Sequence, residues 1–128
     1  MDIGVLRRDG RSDPFFDGAA AGRLVIKRCD GCARWYVPDA SECAGCGGDE
    51  LGWAEASGHA TLVSWAISPA SPGRPQPAVL ALVELSEGPW LHSRLIGVTR
   101  ADPREGLPLR AHFEHPEEGE SYLVFRPA

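Results

Sequence analysis

The chain has no run of apolar residues approaching the roughly 20 needed to cross a bilayer as a helix. No secretory leader is expected either: Arg7, Arg8 and Asp9 stand where the apolar core of a signal peptide belongs. No internal repeat is evident, so a solenoid is not expected. Positive charge is in short supply. Thirteen Lys and Arg face eighteen Asp and Glu, a formal net charge of −5. Nucleic acids are held largely by neutralising phosphates, so this balance weakens a nucleic-acid reading. Catalytic constellations are missing too. Of the four histidines, His59, His92, His112 and His115, none is spaced from another as a metal pair on a helix. No Ser, His and Asp occur around a nucleophile elbow.

What is present is turn chemistry and cysteine. Among 128 residues there are 15 Gly and 11 Pro, with 43% hydrophobic and 24% charged residues. That composition favours short strands joined by turns, in one domain or one small module attached to a larger protein. With no export signal the chain is expected in the cytoplasm, where thiols stay reduced and four cysteines serve as metal ligands sooner than as two disulfides. Their spacing is Cys29-x2-Cys32, ten residues, then Cys43-x2-Cys46. Each C-x2-C places two thiolates one metal bite apart, and two such knuckles complete a tetrahedron. Gly31 and Gly45 are expected to supply the sharp turns. A closed set of four sulfurs leaves no open position for water, which argues for one structural Zn2+ and against zinc catalysis. Iron, which takes the same four sulfurs in a rubredoxin site, stays open.

Along the chain, residues 1–12 are expected to form a flexible leader. Asp13 is the predicted N-cap of a short helix with Pro14 at its first position, running through Phe15, Phe16 and Ala19 to a C-cap at Gly22. Leu24–Ile26 should be a strand leading into the metal module, so that 13–50 forms the helix and ribbon. From residue 51 the pattern changes to strands. Trp53 to Ile67, broken at Gly58, shows Thr61, Val63, Trp65 and Ile67 alternating with smaller residues. Four prolines between Ser68 and Pro77 force a loop. Ala78–Leu85 is apolar on both faces, as in a central strand. Ser86-Glu87-Gly88-Pro89 signals a hairpin, and Trp90–Ile96 returns. Leu109, Ala111 and Phe113 alternate with Arg110, His112 and Glu114. Tyr122–Phe125 closes a predicted five-stranded OB-type barrel over 51–128.

Several residues admit more than one reading. Arg23, Lys27, Arg28 and Arg34 crowd the first cysteine pair, but Asp30, Asp39 and Glu42 interrupt them, as on a solvated or partner-facing surface. Trp35 and Tyr36 could stack on bases, cover the metal or anchor a partner protein. His92 and Glu84 are the best catalytic candidates, though an ordinary structural His and a solvent-facing carboxylate explain them more simply.

Taken together, Phe15-Phe16, Gly22-x-Leu24, the two cysteine pairs around Trp35 and Pro38, Ala81–Leu85, Gly88-Pro89, Gly106-x-Pro108-Leu109-Arg110, Phe113-Glu114 and Phe125-Arg126-Pro127 resemble a known family. It is the family of OB-fold, acyl-CoA-associated proteins with an N-terminal rubredoxin-like zinc ribbon. The resemblance covers the chain from Asp13 onward and implies mainly β architecture: helix, ribbon, then barrel. It also implies a non-catalytic accessory subunit of a thiolase-fold enzyme acting on acyl-CoA thioesters, such as a thiolase, an acyltransferase or a steroid side-chain aldolase. The expected assembly has two of each chain, with acyl-CoA contacted only indirectly. Phe15, Phe16, Trp35 and Tyr36 are the expected anchors. The rival expectation is a nucleic-acid-binding ribbon and OB module. Ribbon and barrel are each expected to have a local core of their own.

Overall fold

The computed structural model describes residues 10, 12–48, 50–73, 75–99 and 102–128. Most of the expected leader, residues 1–9 and 11, lies outside the described residues. One helix, α1 (Asp13–Ala20), is followed by eight strands. These are β1 (Val25–Cys29), β2 (Trp35–Tyr36), β3 (Leu51–Glu55), β4 (His59–Ser68), β5 (Ala78–Leu85), β6 (Trp90–Leu95), β7 (Pro108–Glu114) and β8 (Tyr122–Pro127).

The N-cap of α1 is Ser12, not Asp13. Asp13 opens the helix itself, and the Phe16 N–H closes the first turn on the Ser12 carbonyl at 3.2 Å. The carboxylate still lies in the first turn, where the helix dipole favours negative charge. Gly22, at φ +77°, lies just past the end and turns the chain into β1.

The ribbon sheet has the order β2-β1-β3, both pairs antiparallel. Residues Leu51–Glu55 pair with β1 in this sheet, so the run that begins near Trp53 is shared: its first part completes the ribbon and the part after Gly58 enters the barrel. Gly58 allows the break because it sits at φ +84°.

The barrel is closed in the order β4-β5-β6-β8-β7, with β7 returning to β4. All its pairings are antiparallel except β6 with β8. This five-stranded Greek-key closure is the OB topology. The alternation expected for β4 does not hold. The register against β5 shifts between Leu62 and Ser64, which puts Trp65 and Ile67 on the face of Ala60 and Leu62 and not on that of Thr61; Ala60 and Leu62 are buried, whereas Trp65 and Ile67 are exposed. A bulge inserts one residue and resets which side chains face inward.

The core is continuous across both parts. Leu24 and Ile26 of the ribbon side cluster with Leu62, Val83, Leu85, Leu109 and Phe125 of the barrel. The expectation of two separate cores therefore fails: the first ribbon strand contributes one of the most deeply buried side chains, Ile26, to the barrel's own interior.

Candidate metal centre and apolar groove

The metal module is built from two copies of one turn. In the first, the Ala33 N–H donates to the Cys29 carbonyl at 2.9 Å and the Cys29 N–H to the Arg34 carbonyl at 2.7 Å. In the second, the Gly47 N–H donates to the Cys43 carbonyl at 2.8 Å and the Cys43 N–H to the Gly48 carbonyl at 2.7 Å. Each turn ends with a left-handed residue directly after its second cysteine, Ala33 at φ +64° and Gly47 at φ +74°. The left-handed positions are thus not Gly31 and Gly45, where the sequence had suggested the turn demand. A Cβ on Gly31 would meet only ordinary contacts at 3.8 Å, whereas one on Gly45 would strike the Arg34 side chain at 2.6 Å.

The two turns face each other and bring all four sulfurs within 4.8 Å of one another. Cys29 and Cys46 Sγ are 3.6 Å apart, and Cys32 and Cys43 Sγ are 3.4 Å apart. Zinc–sulfur bonds of ~2.3 Å in a tetrahedron separate the sulfurs by roughly 3.8 Å. Four thiol donors at this spacing fit a structural zinc. Cys29 and Cys43 are buried, while Cys32 and Cys46 lie at the surface.

The electrostatics of the sulfurs agree with a cation site. The Tyr36 hydroxyl donates to Cys43 Sγ at 3.0 Å and, helped by the Cys46 backbone N–H, pulls the Cys43 thiol down to about 6. At Cys32 the Arg34 backbone N–H also favours thiolate. There, hydrogen bonding with Cys43, burial and the other two sulfurs outweigh it and push the thiol up to about 11. Four sulfurs this close resist joint ionisation unless a cation sits among them.

Aromatic and basic residues brace the module. The Arg28 guanidinium lies over the Trp35 ring at 5.5 Å, and Lys27 Nζ over Trp53 at 5.1 Å. Lys27 Nζ also donates to the Ala40 carbonyl at 2.6 Å, tying the loop after β2 back to β1. Of the expected anchors, Trp35 packs against the core cluster and Tyr36 bonds a cysteine, so both are engaged within the chain.

Phe15 and Phe16 have a different setting. Their rings meet edge to face at 5.5 Å. Phe15 packs on the core cluster, and both rings border a groove of about 720 Å³. Its lining also includes Trp65 of β4 and Leu80 of β5, which are 41% and 40% exposed despite their size. Pro38 from the metal loop forms one end, and His92 and Arg94 of β6 supply polar edges. Arg94 Nη2 lies 3.7 Å from Glu114 Oε1. His92 thus lies in the groove, whereas Glu84 is exposed and accepts a hydrogen bond from Trp90 Nε1 at 2.9 Å. His92 lines the groove with Ser64 and Ser93, and Glu84 is not part of that lining. Trp65 and Leu80 went unrecognised as groove residues in the sequence, because which side chains meet in the groove depends on how β4, β5 and α1 come together.

Ribbon and barrel together define a zinc-ribbon OB-fold protein. Two family models match in series, the ChsH2 rubredoxin-like zinc ribbon domain over residues 16–52 and the ChsH2 C-terminal OB-fold domain over residues 53–114. The chain belongs to the ChsH2 family, also called DUF35. A solved structure described as the Ltp2-ChsH2(DUF35) aldolase matches with a TM-score of 0.81 and 30% identity, over 94% of this chain and 96% of that one. A DUF35 protein of unknown function from Sulfolobus solfataricus shares the fold at a TM-score of 0.66 and 19% identity, over 94% of this chain and 87% of that one. Among curated proteins, a probable enoyl-CoA hydratase alpha subunit of Thermomonospora curvata is 33% identical over 89% of this chain. The 3-oxo-4,17-pregnadiene-20-carboxyl-CoA hydratase alpha subunit of Mycobacterium tuberculosis is 35% identical over 77%. This chain spans about a third of the length of those two relatives, 36% and 32%. Among the described residues no helix is long and apolar enough to cross a membrane.

Proposed function

We propose that this chain is a non-catalytic accessory subunit that docks on a thiolase-fold enzyme acting on acyl-CoA thioesters, in the cytoplasm and with two of each chain. The observation that supports this most is the match to the aldolase described as Ltp2-ChsH2, which extends over nearly the whole of both chains. The hydratase alpha subunits named above place relatives alongside acyl-CoA chemistry, one with a pregnadiene carboxyl-CoA. In this reading Cys29, Cys32, Cys43 and Cys46 hold one zinc ion that shapes the ribbon and takes no part in a reaction. Phe15, Phe16, Trp65 and Leu80 around the groove form the docking face, while Trp35 and Tyr36 support it from behind through the core and the metal.

Co-expression with a thiolase-fold aldolase from the same organism, followed by size-exclusion chromatography with light scattering, tests the proposal. The expected result is a complex of two of each chain, with no turnover of acyl-CoA by the isolated subunit. Trp65→Ala with Leu80→Glu should weaken the complex by at least about 2 kcal/mol, the usual loss at a central interface anchor. A monomer that never co-elutes with the enzyme overturns the proposal. An intact complex in the double variant moves the docking face elsewhere.

A further inference from the structure

Three basic side chains stand in one row on the outside of the barrel. The register pairs His59 of β4 with Arg110 of β7, and Arg110 with Arg126 of β8. All three are exposed, while their chain neighbours Ala60, Leu109 and Phe125 are buried in the barrel. The row therefore projects outward. The Ala111 N–H donates to the Gly58 carbonyl at 2.8 Å, which makes residues 58 and 111 a hydrogen-bonded pair. His59 and Arg110 are then the adjacent narrow pair, with Cα atoms roughly 4.5 Å apart. On the other side the Ala128 N–H donates to the Pro108 carbonyl at 3.1 Å, which puts Arg110 and Arg126 two residues along at a wide pair, roughly 5.5 Å apart.

Like charges directly across a ladder repel, and arginine does not relieve the repulsion by losing its proton. A chain with net charge −5 has carboxylates to spare for pairing. Yet among the described residues Arg110 and Arg126 form no ion pair, and neither does Arg23. Arg23 matters because it joins the row. A cleft of about 270 Å³ at the junction of ribbon and barrel is lined by Arg23, Ser57, Gly58, His59 and Arg110, among others. Glu55, at the end of β3, is the one carboxylate on its wall, and it forms no ion pair with either arginine. The nearby Glu87 is held by the Ser57 N–H at 2.8 Å. None of these residues lines the apolar groove or belongs to the cysteine cluster.

We infer that this cleft and row form a binding site for a phosphate-bearing anion carrying more than one phosphate. The guanidinium groups offer planar forks suited to phosphate oxygens, and the His59 ring offers a further N–H. The donors are spread over three strands spaced ~4.8 Å apart. A single carboxylate engages one fork and leaves the second arginine uncompensated. A diphosphate spans both and cancels the repulsion built into the row.

The test is isothermal titration of the zinc-loaded chain with inorganic pyrophosphate at low ionic strength. Wild type should bind one equivalent saturably. Arg110→Gln with Arg126→Gln should weaken binding at least about tenfold, since hydrogen bonds to charged groups are the strong ones, and should flatten its salt dependence. Arg104→Gln, away from the cleft, should bind as wild type does. In anion-free buffer the double variant should melt at or above the wild-type temperature, and pyrophosphate should raise the melting temperature of wild type only. Citrate separates phosphate from carboxylate recognition, and tighter binding of citrate than of pyrophosphate overturns the assignment. So does the absence of saturable binding, or unchanged affinity in the double variant.

Discussion

Ala33 holds a left-handed backbone at φ +64°, in the same place of the first cysteine turn that Gly47 takes in the second. A residue with a Cβ incurs about 1–2 kcal/mol in that conformation. Ala33→Gly should therefore stabilise the zinc-loaded protein by about 1 kcal/mol in denaturant titration, without altering metal content; unchanged stability would show the strain to be relieved elsewhere. Tyr36 acts at the same scale. Its hydroxyl bonds Cys43 Sγ at 3.0 Å and holds that thiol down at about 6. A depressed thiol favours thiolate, the metal-binding form, above that value and loses it as pH falls through it. Tyr36→Phe removes the donor, so protons compete with zinc at higher pH. Zinc affinity should drop about tenfold, typical of losing a partner to a ligand, and the pH of half-release should rise. Competition with a chromophoric chelator across pH 5 to 7.5 measures both, and an unshifted release curve would remove Tyr36 from the metal's support. The cysteines themselves were legible because ligand spacing is local. Covering the metal was one of three readings open for Tyr36, and its bond to Cys43, which depends on how β2 folds back over the second turn, selects it.

Elements were legible where their signals are local as well. The four prolines before Ala78 mark the loop between β4 and β5, and the Ser86–Pro89 turn marks the hairpin before β6. The alternation of Leu109 with Arg110 survives at the start of β7. Other features are set by a neighbouring element and leave no local signal. The bulge after Leu62 appears only as a register shift against β5. Leu51–Glu55 joins the ribbon because β1 offers it an edge, which its own pattern does not record. The parallel contact of β6 with β8 brings Leu95 to Phe125, far apart in sequence. The groove inherits this non-locality. Phe15 and Phe16 were expected to anchor a partner, and the fold gives Phe15 two settings, against the core and in the groove lining.

At the scale of the whole molecule, the shared core changes what metal loss should do. Ile26 is fully buried among barrel residues, three positions before the first cysteine. The zinc turns also anchor β1 directly, since Cys29 is both the last residue of that strand and one of the four clustered sulfurs. Zinc binding should therefore fix the position of Ile26 and, through the shared cluster, bear on the packing of Val83 and Phe125. Removing zinc with a strong chelator should first expose the backbone between Cys29 and Gly48 to hydrogen exchange, because that loop has little apolar packing of its own. The barrel should keep its fold, with five closed strands still paired, but the Val83 and Phe125 amides should exchange faster than in the zinc-loaded chain. Ile26→Ala separates packing from metal. With zinc bound, it should lower stability by about 2–5 kcal/mol, the range for a large-to-small change in a core, and accelerate exchange of the same barrel amides while the loop stays protected. If chelation leaves Val83 and Phe125 exchange unchanged, ribbon and barrel are energetically separate. Their common cluster would then be contact without coupling.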